Sequence, residues 1–172
     1  MLDVSKFLPL LRVVNRVNQE TYMTIVLALL RRSGVVVHGR PLWISSSIFL
    51  DNSGTGSISF GDRCVVSDSV KILTHDFSLD RIAEARHALP DDEELYRRAP
   101  VSIGARAFVG LGVVLMPGVT VGDDVVIGAG SVVTVSIPAG DVVAGNPARK
   151  ICTTDELWDK RRSEFDVRKR RS

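Results

Sequence analysis

From Ile103 onward every sixth residue is a branched aliphatic: Ile103, Val109, Leu115, Val121, Ile127 and Val133. The residues that follow them are Gly104, Gly110, Met116, Gly122, Gly128 and Thr134. Four positions after each aliphatic stand Ala107, Val113, Val119, Val125, Ser131 and Ile137, all small or apolar. Six is not the period of a helix, and a plain strand alternates by two. A short strand and a tight corner, repeated every six residues, satisfy all three columns together. The aliphatic points inward, and glycine turns the corner where left-handed backbone angles are cheap only without a Cβ. Three such units close a triangular coil of about 18 residues, each coil stacked in parallel on the last at roughly 4.8 Å. The sequence therefore predicts an all-β solenoid of four to five coils. The period alone leaves a right-handed β-helix and a sandwich of short strands as alternatives.

The same period runs upstream as Leu42, Ile48, Gly54, Phe60, Val66 and Ile72, with a partner column of Ser46, Asn52, Ile58, Cys64 and Val70. Gly54 interrupts the aliphatic column. From Ile72 to Ile103 the phase slips, and residues 77–100 are charged and non-repetitive. A thin coil core also accounts for the composition. Ile, Leu and Val make up about 30% of the 172 residues, against 6% aromatic.

The two ends read differently. Phe7, Leu10, Leu11, Val14 and Val17 recur at helical spacing, and Pro9 suits a first helical turn. A second helix is expected from about Asn18 to Arg32, stopped by Gly34. The division is then a helical segment over 1–34, the solenoid over 35–150 with an excursion at 77–100, and a basic tail over 151–172. Tail residues Arg161, Arg162 and Arg168–Arg171 surround Trp158 and Phe165 in a short polar helix, with an acidic-lipid contact as the lesser reading.

A net charge of +2 gives no reason to expect nucleic acid. Cys64 and Cys152 are too few for a disulfide scaffold, and Cys64 falls at a core position. The apolar run Tyr22–Leu30 is about half of what spans a bilayer, and it ends in Arg31-Arg32 rather than a cleavage site. A cytoplasmic protein is expected, with contact at a membrane surface as the alternative.

His75 stands where the regular run Val70-Lys71-Ile72-Leu73 gives way to the excursion. A neutral imidazole there can take a proton from a hydroxyl near neutral pH. His38 and His87 complete the set of three histidines. Three imidazoles can hold a catalytic zinc, but His75 and His87 are twelve apart and His38 is remote, so no metal is expected.

The stretch Thr74-His75-Asp76, then Pro100-Val101-Ser102-Ile103-Gly104, then Phe108-Val109-Gly110-Leu111-Gly112 through Met116-Pro117-Gly118 to Val121-Gly122-Asp123, resembles the galactoside and maltose O-acetyltransferases and the related polysaccharide O-acetyltransferases. Ile127-Gly128-Ala129-Gly130-Ser131, Ile137-Pro138 and Val143-Ala144-Gly145-Asn146-Pro147-Ala148-Arg149 are similar to the end of their coenzyme A site. That resemblance implies a left-handed parallel β-helix of the hexapeptide-repeat superfamily. It implies acetyl-CoA as co-substrate, a homotrimer with active sites between subunits, and His75 as general base. Leu111 would lie beside the thioester and contribute through its main chain, since the family usually has Ser there. Ala129 and Thr134 would contact the pantetheine arm. Gly145, Pro147, Arg149 and Lys150 would lie toward the nucleotide end. Val135-Ser136 replaces a Lys-Asp common in the family, which removes a cation for the coenzyme phosphates. Asp51 or Asn52, with Asp76, would meet the acceptor. Arg81, Arg86, His87 and Arg98 in the excursion could meet an anionic one. The implied activity is O-acetyl transfer to a saccharide hydroxyl, on a cell-surface polysaccharide or its precursor. N-acyl transfer to a nucleotide-linked amino sugar is the alternative.

Overall fold

The computed structural model describes residue 11 and residues 18–52, 54–90 and 92–169. The expected first helix lies outside them, apart from Leu11, which packs partly buried against the core.

Helix α1 (Gln19–Arg32) begins at Asn18, whose side chain accepts the Thr21 amide, and ends at Ser33 before Gly34, where φ is +85°. It buries Tyr22, Met23, Val26, Leu27 and Leu30, one stripe at helical spacing. Two-residue strands follow: β1 (Val36–Val37), β2 (Trp43–Ile44) and β3 (Phe49–Leu50), then β4 (Ile58–Phe60), β5 (Val65–Val66) and β6 (Lys71–Ile72). The excursion holds β7 (His75–Asp76), helix α2 (Ser78–Ala85) and β8 (Arg97–Arg98). Coiling resumes with β9 (Val101–Ile103), β10 (Phe108–Val109), β11 (Val114–Leu115), β12 (Thr120–Val121), β13 (Val126–Ile127) and β14 (Val132–Val133). The chain closes with β15 (Asp141–Gly145), β16 (Ala148–Thr153) and helix α3 (Thr154–Arg161).

Successive coil strands join three sheets in rotation. Sheet I is ordered β1-β4-β9-β12, sheet II β16-β15-β13-β10-β5-β2, and sheet III β14-β11-β6-β3. Among the described residues every pairing in the coil is parallel, and only β16 on β15 and β8 on β7 are antiparallel. Phe108 pairs with Val126 and Val114 with Val132, each 18 residues on, so a regular coil has the expected length. The inward column Ile103, Val109, Leu115, Val121, Ile127 and Val133 is buried throughout. Cys64 is buried with it, and burial pushes its thiol up to about 12.

The upstream register differs from the sequence expectation. Ile44 pairs with Val66 and Leu50 with Ile72, so Ile44 and Leu50 take the strand column. Leu42 and Ile48 sit one column away: the Leu42 amide donates to the Cys64 carbonyl, at a corner position. Trp43 pairs with Val65, 22 residues on, because the coil carries extra residues around Gly54. A pattern with branched aliphatics in both columns reads the same whichever column is the strand.

The corner between sheets I and II is stacked glycine. A Cβ on Gly61 would lie 2.4 Å from the Gly104 carbonyl carbon, and one on Gly104 would lie 2.5 Å from that of Gly122. Coils therefore touch backbone to backbone there. At the other end of the chain, Thr153 and Glu156 form a reciprocal cap for α3. No helix among the described residues is long and apolar enough to cross a membrane.

Candidate active site

His75 begins the excursion at the corner between sheets III and I. Its Nδ1 lies 2.5 Å from Oδ2 of Asp51, which occupies the same corner on the preceding coil. Asp51 is well covered, and its Oδ2 also accepts the Thr74 amide at 3.1 Å. The Thr74 hydroxyl donates to the Asp51 carbonyl, which ties the two coils together beside the imidazole. A carboxylate this close to Nδ1 favours a proton on that nitrogen, which leaves Nε2 as the acceptor nitrogen on the far side of the ring. A carboxylate so placed would fix the tautomer and orientation of the ring.

Asn52 is placed otherwise. Its Nδ2 donates to the Ser33 carbonyl at 2.7 Å and its Oδ1 accepts the Ser57 hydroxyl at 2.5 Å. It fastens the widened coil to the end of α1. Asp76 accepts the Ser78 amide at 2.8 Å at the start of α2. That bond, with Arg97 and His75 nearby, holds its carboxyl below the usual range. The register pairs Asp76 with Arg97 and His75 with Arg98. Neighbours along a strand point to opposite faces, so Asp76 and His75 do not share one.

Leu111 and Ala129 occupy the corner between sheets II and III, one above the other: the Gly130 amide donates to the Leu111 carbonyl at 2.8 Å. Neither the Leu111 nor the Ala129 amide N–H meets a protein acceptor among the described residues. Leu111 is exposed, so both N–H groups can serve a ligand oxygen. Thr134 follows β14 at the corner that carries His75, two coils further on, and is exposed. The Gly145 amide donates to the Ser131 hydroxyl at 3.1 Å, and the Asn146–Pro147 peptide is cis. Arg149 is exposed and bonds its neighbour's carbonyl at 2.9 Å. Lys150 Nζ sits 2.6 Å from Asp141, and that bond raises its pKa. The expected residues thus fall on two edges: His75, Asp51 and Thr134 on one side of sheet III, Leu111 and Ala129 on the other.

The Asp51–His75 contact is the feature of the site that sequence reasoning missed. The signal for α2 was present as Leu79, Ile82 and Ala83 at helical spacing. Among the described residues, no group of three or more His, Cys, Asp or Glu side chains is arranged to hold a metal ion.

A parallel coil of hexads with a histidine at an interrupted corner defines a hexapeptide-repeat transferase. A family model for the hexapeptide repeat of succinyl-transferase matches residues 100–135. The chain is 30% identical over 156 residues to WbbJ of Escherichia coli K12, named for O-acetyl transfer in lipopolysaccharide biosynthesis. That match covers 76% of this chain and 80% of WbbJ. It is 37% identical over 95 residues to the galactoside O-acetyltransferase of the same strain, covering 55% of this chain and 43% of that one. The chain thus spans less than half the length of that second relative. A maltose O-acetyltransferase structure from Clostridium difficile 630 superposes with a TM-score of 0.55 at 30% identity, over 73% of each chain. The chain belongs to the hexapeptide-repeat acetyltransferase family.

Proposed function

We propose that this chain transfers an acetyl group from acetyl-CoA to a saccharide hydroxyl, on a cell-surface polysaccharide or its precursor. The observation that carries the reading is the His75 Nδ1–Asp51 contact at 2.5 Å, which leaves Nε2 as the base. Nε2 takes the proton of the acceptor hydroxyl as its oxygen bonds to the thioester carbonyl carbon. Negative charge moves onto the carbonyl oxygen, where the unpartnered Leu111 N–H suits it. Collapse of the tetrahedral intermediate breaks the C–S bond, and the coenzyme thiolate leaves with the proton from the imidazolium. The Ala129 N–H and Thr134 hydroxyl serve the pantetheine arm, and Gly145, Pro147, Arg149 and Lys150 the nucleotide end.

His75 and Leu111 stand on opposite edges of sheet III, so one chain does not bring base and oxyanion donor together by itself. A homotrimer that sets one edge against the other edge of a neighbour supplies the complete site. In this reading the coil is left-handed, as in the family. The division remains a helical segment over 1–34, of which α1 closes one end of the coil, then 35–150, which carries catalysis with the excursion 77–100 facing the acceptor, and a basic tail over 151–172. The work is cytoplasmic, with the tail able to meet a membrane surface.

The test is transfer of labelled acetyl from acetyl-CoA to a panel of saccharides. His75→Ala is expected to lower the rate about 10²–10⁴-fold with an unchanged melting temperature. Unaltered transfer in that variant would overturn the mechanism. Label passing only to amino sugars would move the assignment to N-acyl transfer.

A further inference from the structure

Strands β7 and β8 form a two-stranded hairpin in which His75 pairs with Arg98 and Asp76 with Arg97. Directly opposed residues in an antiparallel pair put their side chains on one face, about 5 Å apart at Cβ. The contacts extend that face by two aromatic residues. Phe77 meets the imidazole edge-on at 5.1 Å between ring centres, Tyr96 lies 5.7 Å from Phe77, and the Arg98 guanidinium carbon sits 5.1 Å from the centre of the Tyr96 ring. Imidazole, two rings and cation therefore run as one continuous line of contacts on this face. Phe77 and Tyr96 remain over 40% exposed, and Arg98 is exposed as well. Arg98 has no carboxylate partner among the described residues. The neighbouring cations are engaged elsewhere: Arg81 pairs with Asp80 and Glu84, and Arg97 faces the other way, toward Gly118.

We propose that this face is the acceptor platform, and that it selects a sugar carrying an anionic group. The exposed rings offer an apolar surface to the C–H face of the sugar. The guanidinium, held over Tyr96, receives a carboxylate or phosphate in two parallel hydrogen bonds. Because Arg98 stands opposite His75, the anion and the reacting hydroxyl belong to the same sugar residue. This inference rests on His75 being the base, but binding tests it separately from transfer.

The experiment measures equilibrium binding of three probes by calorimetry: p-nitrophenyl β-glucoside, p-nitrophenyl β-glucuronide and glucose 6-phosphate. Wild type is expected to bind one anionic probe at least about tenfold tighter than the neutral one, and the tighter of the two identifies carboxylate or phosphate. Arg98→Ala should erase that preference while leaving the glucoside within about twofold, and Arg98→Lys should restore part of it. His75→Ala should keep the preference and lose transfer. Equal affinity for all three probes, or an Arg98→Ala defect confined to coenzyme A binding, would overturn the platform. Preferential binding without any acetyl transfer would leave the platform standing and remove the catalytic reading instead.

Discussion

Asp51 Oδ2 holds His75 Nδ1 at 2.5 Å across two neighbouring coils, although the two residues are far apart in the chain. The carboxylate is fixed in turn by the Thr74 amide. Asp51→Asn keeps the shape but can present its amide to Nδ1, which turns the ring nitrogens' roles around. The expected result is a fall in kcat of up to about 10⁴-fold, with the KM for acetyl-CoA unchanged. Steady-state kinetics of Asp51→Asn beside Asn52→Asp separates the two positions. Asn52→Asp should act on stability instead, since its amide donates to the Ser33 carbonyl.

The coil itself was legible because a six-residue period is a property of the sequence, and Ile103 through Val133 are buried as the period requires. Its phase before Gly54 was not. Leu42 and Ile48 are as apolar as Ile44 and Leu50, and only the wider first coil decides which pair forms strands. The partner of His75 depends on that same widening. Trp43 pairs with Val65 across 22 residues instead of 18, and this offset brings Asp51 beside Thr74 and His75. The platform was hidden for a similar reason: the register of β7 on β8 comes from a long excursion whose length carries no period.

The glycine corner makes a sharp stability prediction. A Cβ on Gly104 would stand 2.5 Å from the Gly122 carbonyl carbon, and a backbone atom inside a stacked coil cannot yield as a side chain does. Gly104→Ala is expected to cost about 3 kcal/mol. Gly130→Ala has open space at the same distance and leaves only the strain of its positive φ of +70°. Denaturant midpoints of the two variants should rank in that order, and equal midpoints would contradict the close stacking of coils.

Cys64 and Cys152 should differ in reactivity. Cys64 is fully buried and its thiol is pushed up to about 12, chiefly by desolvation, whereas Cys152 is half-buried. At pH 8 an aromatic disulfide reagent should modify one thiol per native chain and two after unfolding. The same burial gives stability a pH dependence. In the unfolded chain the Cys64 thiol ionises near its ordinary 9.0, but in the fold only near 12. The unfolded state therefore loses the proton first, and stability falls as pH rises from about 9 toward 12, by at most about 1.4 kcal/mol per unit. Cys64→Ala should flatten that slope in alkaline urea titrations.

The closed end of the coil supplies the last test. Tyr22 on α1 is fully buried, stacks on Trp43 at 4.9 Å and donates its hydroxyl to the Ile44 carbonyl at 2.9 Å. Burial raises its phenol above the ordinary range, so the hydroxyl stays a donor through neutral and mildly alkaline pH. Tyr22→Phe removes the hydrogen bond and keeps the ring, at an expected cost of about 1 kcal/mol. Tyr22→Ala also removes the stacking and opens a cavity above the first coil, at about 3–5 kcal/mol. Because Trp158 is exposed, the measurement is made in a Trp158→Phe background, where the emission reports Trp43 alone. Emission should stay unshifted in Tyr22→Phe and move to the red in Tyr22→Ala as water reaches Trp43. A red shift in both, or in neither, would mean that α1 does not seal the coil through this ring.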